Sequence, residues 1–200
     1  IKGGREDEED PFFPCDTVAV VLYDRGTRYL AVYPKSAKNT ANTIAAMQHF
    51  AGPKDKIQSF HCDNAPELIA AATALKWRLA TATTGMPQTN GVAENCVRRC
   101  REGGGCAIVQ SGFNPKTLWP FAGEHFCFAN NIAIANGDSA WNKRHKKGHF
   151  KGMQFPFGAL VDFMPQPDTR VESMGPKRLP GVFVGYNVNP GGEWSGDYLV

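Results

Sequence analysis

The stretch GMPQTNGVAENCVRR, residues 85–99, joins a loop, a turn and the start of a helix. Its Gly-Met-Pro run is typical of a loop, and the pair Asn90-Gly91 is typical of a turn. From Val92 onward the pattern is helical, and Glu94 is the first ionisable side chain of that helix. A glutamate in the first turn of a helix can simply favour the helix dipole. It can also present a carboxylate beside a polar loop.

A second carboxylate stands at the end of another predicted element. Asp63 closes the predicted strand 57–63, directly before a predicted helix at 66–79. An aspartate in front of a helix is often an N-cap. Two carboxylates brought together by a sheet also supply the oxygen ligands that Mg²⁺ prefers, and paired ions about 4 Å apart can assist phosphoryl transfer. Spacing alone leaves the structural and the metal-binding interpretations open.

The remaining apolar patterns predict a mixed α/β architecture. We expect the two strands of a hairpin at 17–24 and 28–34, and two more helices at 39–50 and 114–136. A loop at 136–155 and a tail of short strands at 155–200 would follow. A hairpin followed by alternating helices and strands favours a mixed sheet flanked by helices.

Composition places few limits on function. Hydrophobic residues make up 42% and charged residues 20% of the 200 residues, as in ordinary soluble domains. No run approaches the roughly 18 apolar residues of a membrane span, and residues 1–10 are charged, without a signal-peptide pattern. We therefore expect an intracellular protein without a membrane partner. The six cysteines form no C-x-x-C pair. They suit the thiols of a reducing compartment, although Cys96 and Cys100, one helical turn apart, could share a metal.

Charge is unevenly distributed although the net charge is only +3. Residues 5–10 are acidic, whereas 142–151 is a basic run without an acid, which we expect to form an exposed loop. Such a run is usually a solvated surface, but it also suits a nucleic-acid backbone. Its cations are Lys143, Arg144, Lys146, Lys147 and Lys151.

The residues around the two carboxylates resemble the catalytic core of retroviral and retrotransposon integrases, most closely the copia type. Residues 62–68, CDNAPEL, resemble S-D-N-G-x-E-F, and residues 87–95, PQTNGVAEN, resemble P-Q-x-N-G-V-A-E-R. Residues 118–136 are similar to that family's L-W-x-E-A-x-x-x-A-x-x-x-x-N helix. The strands of 156–200 resemble the small Src-homology-3-like barrel that follows copia-type cores. The resemblance covers nearly the whole chain.

This resemblance implies a ribonuclease-H-like fold and metal-dependent DNA 3′-end processing and strand transfer. It implies an Asp, Asp, Glu triad that binds two Mg²⁺ or Mn²⁺ ions, with Asp63 as the second member and Glu94 as the third. Gly91 would be the hinge of the active-site loop. DNA would be bound by Asn90, Arg98, Arg101, Lys143, Arg144, Lys146 and Lys147.

The resemblance also implies an organisation and a setting. Residues 1–140 would form the catalytic core, 141–155 a basic linker and 156–200 an incomplete barrel-like unit. The intact integrase would form a homo-oligomer on DNA, in the nucleus or in a cytoplasmic particle.

The sequence departs from the family pattern in several places. The Asp63–Glu94 spacing is a few residues shorter than usual, and Ala65 stands where the family has a glycine. The insert at 3–15 stands before the first hairpin strand, so we expect the first triad aspartate upstream of residue 1, with Asp10 and Asp16 as fallbacks. Three glycines at 103–105 interrupt a predicted helix, each at about 1 kcal/mol relative to alanine. Either the helix breaks there, or packing offsets the loss, or the element copy is decaying.

Two other functions therefore remain open. The first is an inactive nucleic-acid-binding relic of such a core. The second is a ribonuclease-H-type nuclease, a class that usually adds a carboxylate on its first helix. Residues 39–50 contain none.

Overall fold

The computed structural model describes residues 16–82, 90–165, 175 and 177–200. Strands and helices alternate through the first part of the chain, three helices follow, and four short strands come last. The elements are β1 Val18–Tyr23, β2 Leu30–Lys35, α1 Thr40–Ala51, β3 Phe60–Cys62, α2 Pro66–Ala74, β4 Leu79–Thr81, α3 Gly91–Ser111, α4 Pro115–Ile132, α5 Ala140–His145, β5 Leu160–Phe163, β6 Leu179–Val182, β7 Gly185–Val188 and β8 Trp194–Leu199.

Strands β1 and β2 form the predicted hairpin, with Tyr23 opposite Leu30. Asp24 shapes its turn, because its Oδ1 accepts from the Gly26 amide at 2.9 Å and its Oδ2 from the Thr27 hydroxyl at 2.5 Å. The side-chain bonds of this aspartate fix the turn that returns the chain to β2.

Strands β3 and β4 are parallel and are connected through α2. The mixed α/β class is therefore confirmed, since the chain contains both antiparallel and parallel pairs. In the described residues β1 pairs only with β2, and β3 only with β4. A continuous ribonuclease-H-like sheet stays a prediction.

The predicted helix 66–79 ends early, at Ala74. Lys76 has the left-handed φ of 55°, and the Trp77 amide donates to the Ala72 carbonyl at 3.0 Å. This six-to-one bond around a left-handed residue is a common helix stop. It leaves Leu79–Thr81 free to pair as β4.

Helix α3 runs without a break through the three glycines. A Cβ on Gly103 would lie 2.1 Å from the Phe126 ring, and a Cβ on Gly104 would lie 3.3 Å from the Gly123 backbone. Both glycines therefore face α4 and allow the two helices to approach closely. The expected helix break is therefore wrong, and close packing accounts for Gly103 and Gly104, whereas a Cβ on Gly105 would meet nothing within 4 Å.

The main core joins the hairpin, the helices and the C-terminal strands. Phe128 of α4 stacks on Tyr186 of β7 with 4.1 Å between ring centroids, and Phe183 beside them is 1% exposed. In the described residues β5–β6 and β7–β8 are two separate antiparallel pairs, and a closed barrel stays a prediction. The division into 1–140, 141–155 and 156–200 also stays a prediction.

The predicted loop at 136–155 contains a short helix, α5. The Ser139 hydroxyl accepts from the Asn142 amide at 3.1 Å and caps its start. None of the helices in the described residues combines the length and apolar character needed to cross a bilayer.

Candidate catalytic carboxylates and nucleic-acid surface

Asp63 follows β3 directly and is exposed. Its Oδ1 accepts from the Ala65 amide at 3.2 Å, in the turn that leads into α2. Ala65 itself provides no side-chain cap for that helix. The N-cap interpretation is therefore wrong for Asp63, which stabilises the turn before the helix, and its exposure leaves the carboxylate accessible to solutes.

Glu94 lies in the first turn of α3 and is also exposed. Its amide donates to the Asn90 carbonyl at 3.1 Å. Asn90 precedes the helix without a capping bond, and its Oδ1 is buried without a hydrogen-bond partner among the described residues. A Cβ on Gly91 would meet nothing within 4 Å. The hinge role of Gly91 stays a prediction, since most of the preceding loop, 83–89, lies outside the described residues.

The segments that carry the two carboxylates follow the neighbouring carboxyl ends of a pair of strands. In parallel β3 and β4, Cys62 is opposite Thr81, so both strands end at one edge. The Ala82 amide donates to the Cys62 carbonyl at 2.9 Å, and the Asn64 Nδ2 donates to the Ala82 carbonyl at 3.2 Å. Asn64, the neighbour of Asp63, therefore holds the start of the segment that leads to Glu94. Sequence reasoning gave Asn64 no such role.

Among the described residues, no group of three or more His, Cys, Asp or Glu side chains could hold a metal ion. Asp10 lies outside the described residues.

Asp16, the other fallback, lies near Glu124 of α4. Glu124 is exposed at its surface. Desolvation by the surrounding protein atoms is the main cause that raises its pKa to about 7. The Asp16 carboxylate adds to this increase, and the charge of Lys35 opposes it. Glu124 follows Gly123, which packs on Gly104, and Gly104 is roughly 15 Å along α3 from Glu94. Among the described residues, no group of three or more carboxylates includes Asp16 with Asp63 and Glu94.

Two of the predicted DNA-binding arginines lie exposed on α3. The Arg98 Nη2 donates to the Asn95 Oδ1 at 2.8 Å, and Arg101 is exposed one turn further along. Together with Glu94 they occupy positions four and seven apart, which share a helix face. Arg99, which sequence reasoning passed over, instead donates to the Asn130 Oδ1 at 2.7 Å and connects α3 to α4.

The prediction of an exposed loop is wrong for Arg144. This residue lies in α5, and its side chain is 5% exposed. Its guanidinium donates to the Phe50 carbonyl at 2.6 Å, the Gly191 carbonyl at 3.0 Å and the Asp55 carboxylate at 2.8 Å. It also lies over the Tyr29 ring, 4.8 Å from the centroid. Arg144 is therefore already engaged inside the protein and is not free to bind a phosphate.

The lysines of the basic run remain on the surface. Lys143, Lys146 and Lys151 are exposed, while the exposed Lys147 donates to Glu193 Oε1 at 2.9 Å. The signal for α5 was present in the sequence, since Ser139 is a good N-cap and a basic last turn is typical of a helix end.

Comparison with known proteins supports a fold assignment. No family model and no curated protein match the sequence. The structure is similar to a chain of the simian T-cell lymphotropic virus intasome in complex with PP2A regulatory subunit B56 gamma, with a TM-score of 0.52 and 14% identity over 82% of this chain and 60% of that chain. The present chain thus spans less than two thirds of that viral chain.

Two further similar structures are of the HTLV-2 integrase catalytic core domain in complex with magnesium. For its trimeric form the TM-score is 0.50 and the identity 17%, over 64% of this chain and 84% of that chain. For its dimeric form the TM-score is 0.50 and the identity 16%, over 64% and 83% of the two chains. The chain therefore has the fold of retroviral integrase catalytic cores.

Proposed function

We propose that this chain is the catalytic core of a copia-type retrotransposon integrase, with a barrel-like unit following it. Its reaction would be DNA 3′-end processing and strand transfer by metal-dependent transesterification. The observation that supports the proposal is that β3 and β4 are parallel and have their carboxyl ends side by side. Asp63 follows β3 directly. The Asn64 side chain donates a 3.2 Å hydrogen bond to the carbonyl of Ala82, where the segment that leads to Glu94 begins.

Asp63 and Glu94 are the proposed metal ligands. Their exposed carboxylates have the chemistry that Mg²⁺ or Mn²⁺ requires, hard oxygen donors with room for water and phosphate. Asp63 and Glu94 would hold the ions, which would supply Lewis-acid chemistry for phosphoryl transfer. Asp63 is further oriented by its bond from the Ala65 amide, and Glu94 by its place in the first turn of α3.

The third ligand is proposed to come from a strand upstream of residue 1. In the described residues, β1 and β3 each have one edge without a strand partner. A strand inserted between those edges would join the two pairs into one mixed sheet. Its aspartate would then enter the site beside Asp63.

DNA would lie along the surface that presents exposed cations. Arg98 and Arg101 follow Glu94 on one face of α3 and would hold phosphates, with Asn90 at the start of that helix. Lys143, Lys146, Lys147 and Lys151 would add backbone contacts, which carry affinity but little base information. We further propose a homo-oligomer acting in the nucleus or in a cytoplasmic particle.

The glycines of α3 favour an intact core over a decayed relic. Gly103 and Gly104 are each used at the contact with α4, so they are not disruptive residues in an otherwise continuous helix. The ribonuclease-H-type alternative gains no support from α1, whose residues Thr40–Ala51 include no carboxylate.

The test is a strand-joining assay with Mg²⁺ or Mn²⁺, on a version of the chain extended upstream by its preceding strand. We expect joining of DNA ends that Glu94→Gln abolishes and Glu102→Gln, on the same helix, leaves unchanged. DNA binding should survive both substitutions because the cationic surface is untouched. Equal activity of Glu94→Gln and the parent protein would refute the proposal.

A further inference from the structure

Two cysteine sulfurs meet at the contact between α3 and α4. The Sγ atoms of Cys100 and Cys127 are 3.5 Å apart, and both residues are buried. A disulfide has a sulfur separation of about 2.05 Å, so roughly 1.5 Å of approach would close the bond.

The backbone around the two sulfurs is already close. Gly104 and Gly123 pack against each other one helical turn from Cys100 and Cys127 respectively. Because α3 and α4 approach at these glycines, the short side chains of the next layer touch directly. Cys96 lies a further turn away in the same buried cluster, together with Leu30 and Val32.

We propose that Cys100 and Cys127 form a reversible internal disulfide that ties α3 to α4 when the protein meets a hydroperoxide. This site is independent of the proposed DNA chemistry. The Cys100 thiolate attacks the peroxide, the O–O bond breaks, and Cys100 becomes a sulfenic acid as one water or alcohol leaves. The Cys127 sulfur then attacks the Cys100 sulfur, the S–O bond breaks, and a water leaves. Two thiols are oxidised and one peroxide is reduced.

The surroundings of the pair distinguish the two sulfurs. A hydrogen bond from the Cys127 thiol lowers the pKa of Cys100, against the effect of burial, and the Arg99 charge adds to the lowering. The same hydrogen bond and burial raise the pKa of Cys127. Since the thiolate is the reactive form, Cys100 is the sulfur that attacks first.

The consequence would be mechanical. Cys100 lies on the helix that carries Glu94 in its first turn. A covalent bond to α4 would prevent the two helices from sliding past each other or separating. It would not occupy the carboxylate site. The oxidised protein should therefore be more resistant to heat than the reduced protein.

The experiment oxidises the folded chain with hydrogen peroxide, alkylates the remaining thiols under denaturing conditions, and maps tryptic peptides. Arginines at 98, 99 and 101 and lysines at 116 and 143 place Cys96, Cys100, Cys106 and Cys127 on four different peptides. We expect a linkage between residues 100–101 and 117–143 with the loss of two hydrogen atoms, reversed by dithiothreitol. Mapping the unaltered chain makes this result independent of whether any variant folds.

Variants then assign the bond. Cys100→Ser and Cys127→Ser should each abolish the linkage and the heat resistance it brings, whereas Cys106→Ser, at an exposed thiol, should change neither. A native linkage between Cys96 and Cys100, or between chains, would overturn the proposal. The proposal would also be overturned if peroxide oxidised the exposed Cys106 while Cys100 and Cys127 stayed reduced and were fully alkylated.

Discussion

The Asn131 side chain of α4 bonds to both backbone polar groups of Leu30 in β2. The Leu30 amide donates to the Asn131 Oδ1 at 2.9 Å, and the Asn131 Nδ2 donates to the Leu30 carbonyl at 2.7 Å. Both residues are almost fully buried. One amide side chain thus satisfies the outer edge of the hairpin and fixes α4 against it.

Replacing Asn131 by alanine should lower the free energy of unfolding by at least ~2 kcal/mol. The substitution leaves a buried N–H and a buried C=O of Leu30 unpaired, and each unpaired group costs about 1–3 kcal/mol. Asn130→Ala, which removes only the partly buried bond to Arg99, is the matched control and should cost less. Urea unfolding curves measure both variants, and equal losses would contradict this role of Asn131.

Arg144→Ala should destabilise the protein by about 2–3 kcal/mol because it leaves the Phe50 and Gly191 carbonyls without their donor. Arg144→Lys should restore little of that loss, since an ammonium group cannot reproduce the guanidinium fork. Lys143→Ala, at an exposed position of the same helix, should stay within about 0.5 kcal/mol. Thermal unfolding of the three variants is the measurement. If Arg144→Ala were as stable as Lys143→Ala, the buried contacts of Arg144 would be unimportant.

Neutralising Lys143, Lys146 and Lys151 together should weaken DNA binding for all sequences alike and reduce its dependence on salt concentration. In a plot of the logarithm of the binding constant against the logarithm of salt concentration, neutralising each lysine that binds a phosphate should reduce the slope by roughly 1. Fluorescence anisotropy with two unrelated duplexes at several salt concentrations tests this. An unchanged slope would show that this surface is only solvated.

Stability should fall as the pH is lowered below the ordinary histidine value of about 6.5. Burial lowers the pKa of His125, partly offset by its bond to the Phe155 carbonyl, and burial also lowers the pKa of His49 and His145. A histidine whose folded-state pKa is lowered binds protons more tightly when unfolded, so protonation favours unfolding. Denaturant unfolding should give a lower free energy of unfolding at pH 5 than at pH 7.5, and His125→Phe should make this difference smaller. Because the raised pKa of Glu124 favours the folded state as the pH falls, the comparison is made in Glu124→Gln, and an equal loss in its His125→Phe variant would contradict the role of His125.

Local patterns in the sequence were sufficient for the hairpin and for most helices, because alternation and helical periodicity are properties of neighbouring residues. The predicted strand 28–34 and helix 39–50 lie within a residue or two of β2 and α1. The end of α2 was missed because it depends on the left-handed backbone of Lys76, which a lysine in the sequence does not indicate.

Long-range contacts account for the remaining differences. The use of Gly103 and Gly104 depends on the position of Phe126 and Gly123 in another helix. The burial of Arg144 depends on carbonyls at 50 and 191, which lie far away in the sequence. For the same reason, Asp63 and Glu94 stood out locally, whereas the tie from Asn64 to Ala82 could be seen only in the folded chain.

We propose that Asp63 and Glu94 bind divalent metal at one site. Paramagnetic broadening of amide resonances by Mn²⁺ tests it directly, on the chain of residues 1–200 and without requiring strand joining. We expect broadening at both Asp63 and Glu94 at the same low Mn²⁺ concentration, abolished at both positions by Glu94→Gln or Asp63→Asn. It should persist in Glu102→Gln, the exposed control on α3. Broadening at only one of the two carboxylates, or equal broadening in Glu94→Gln, would contradict the claim.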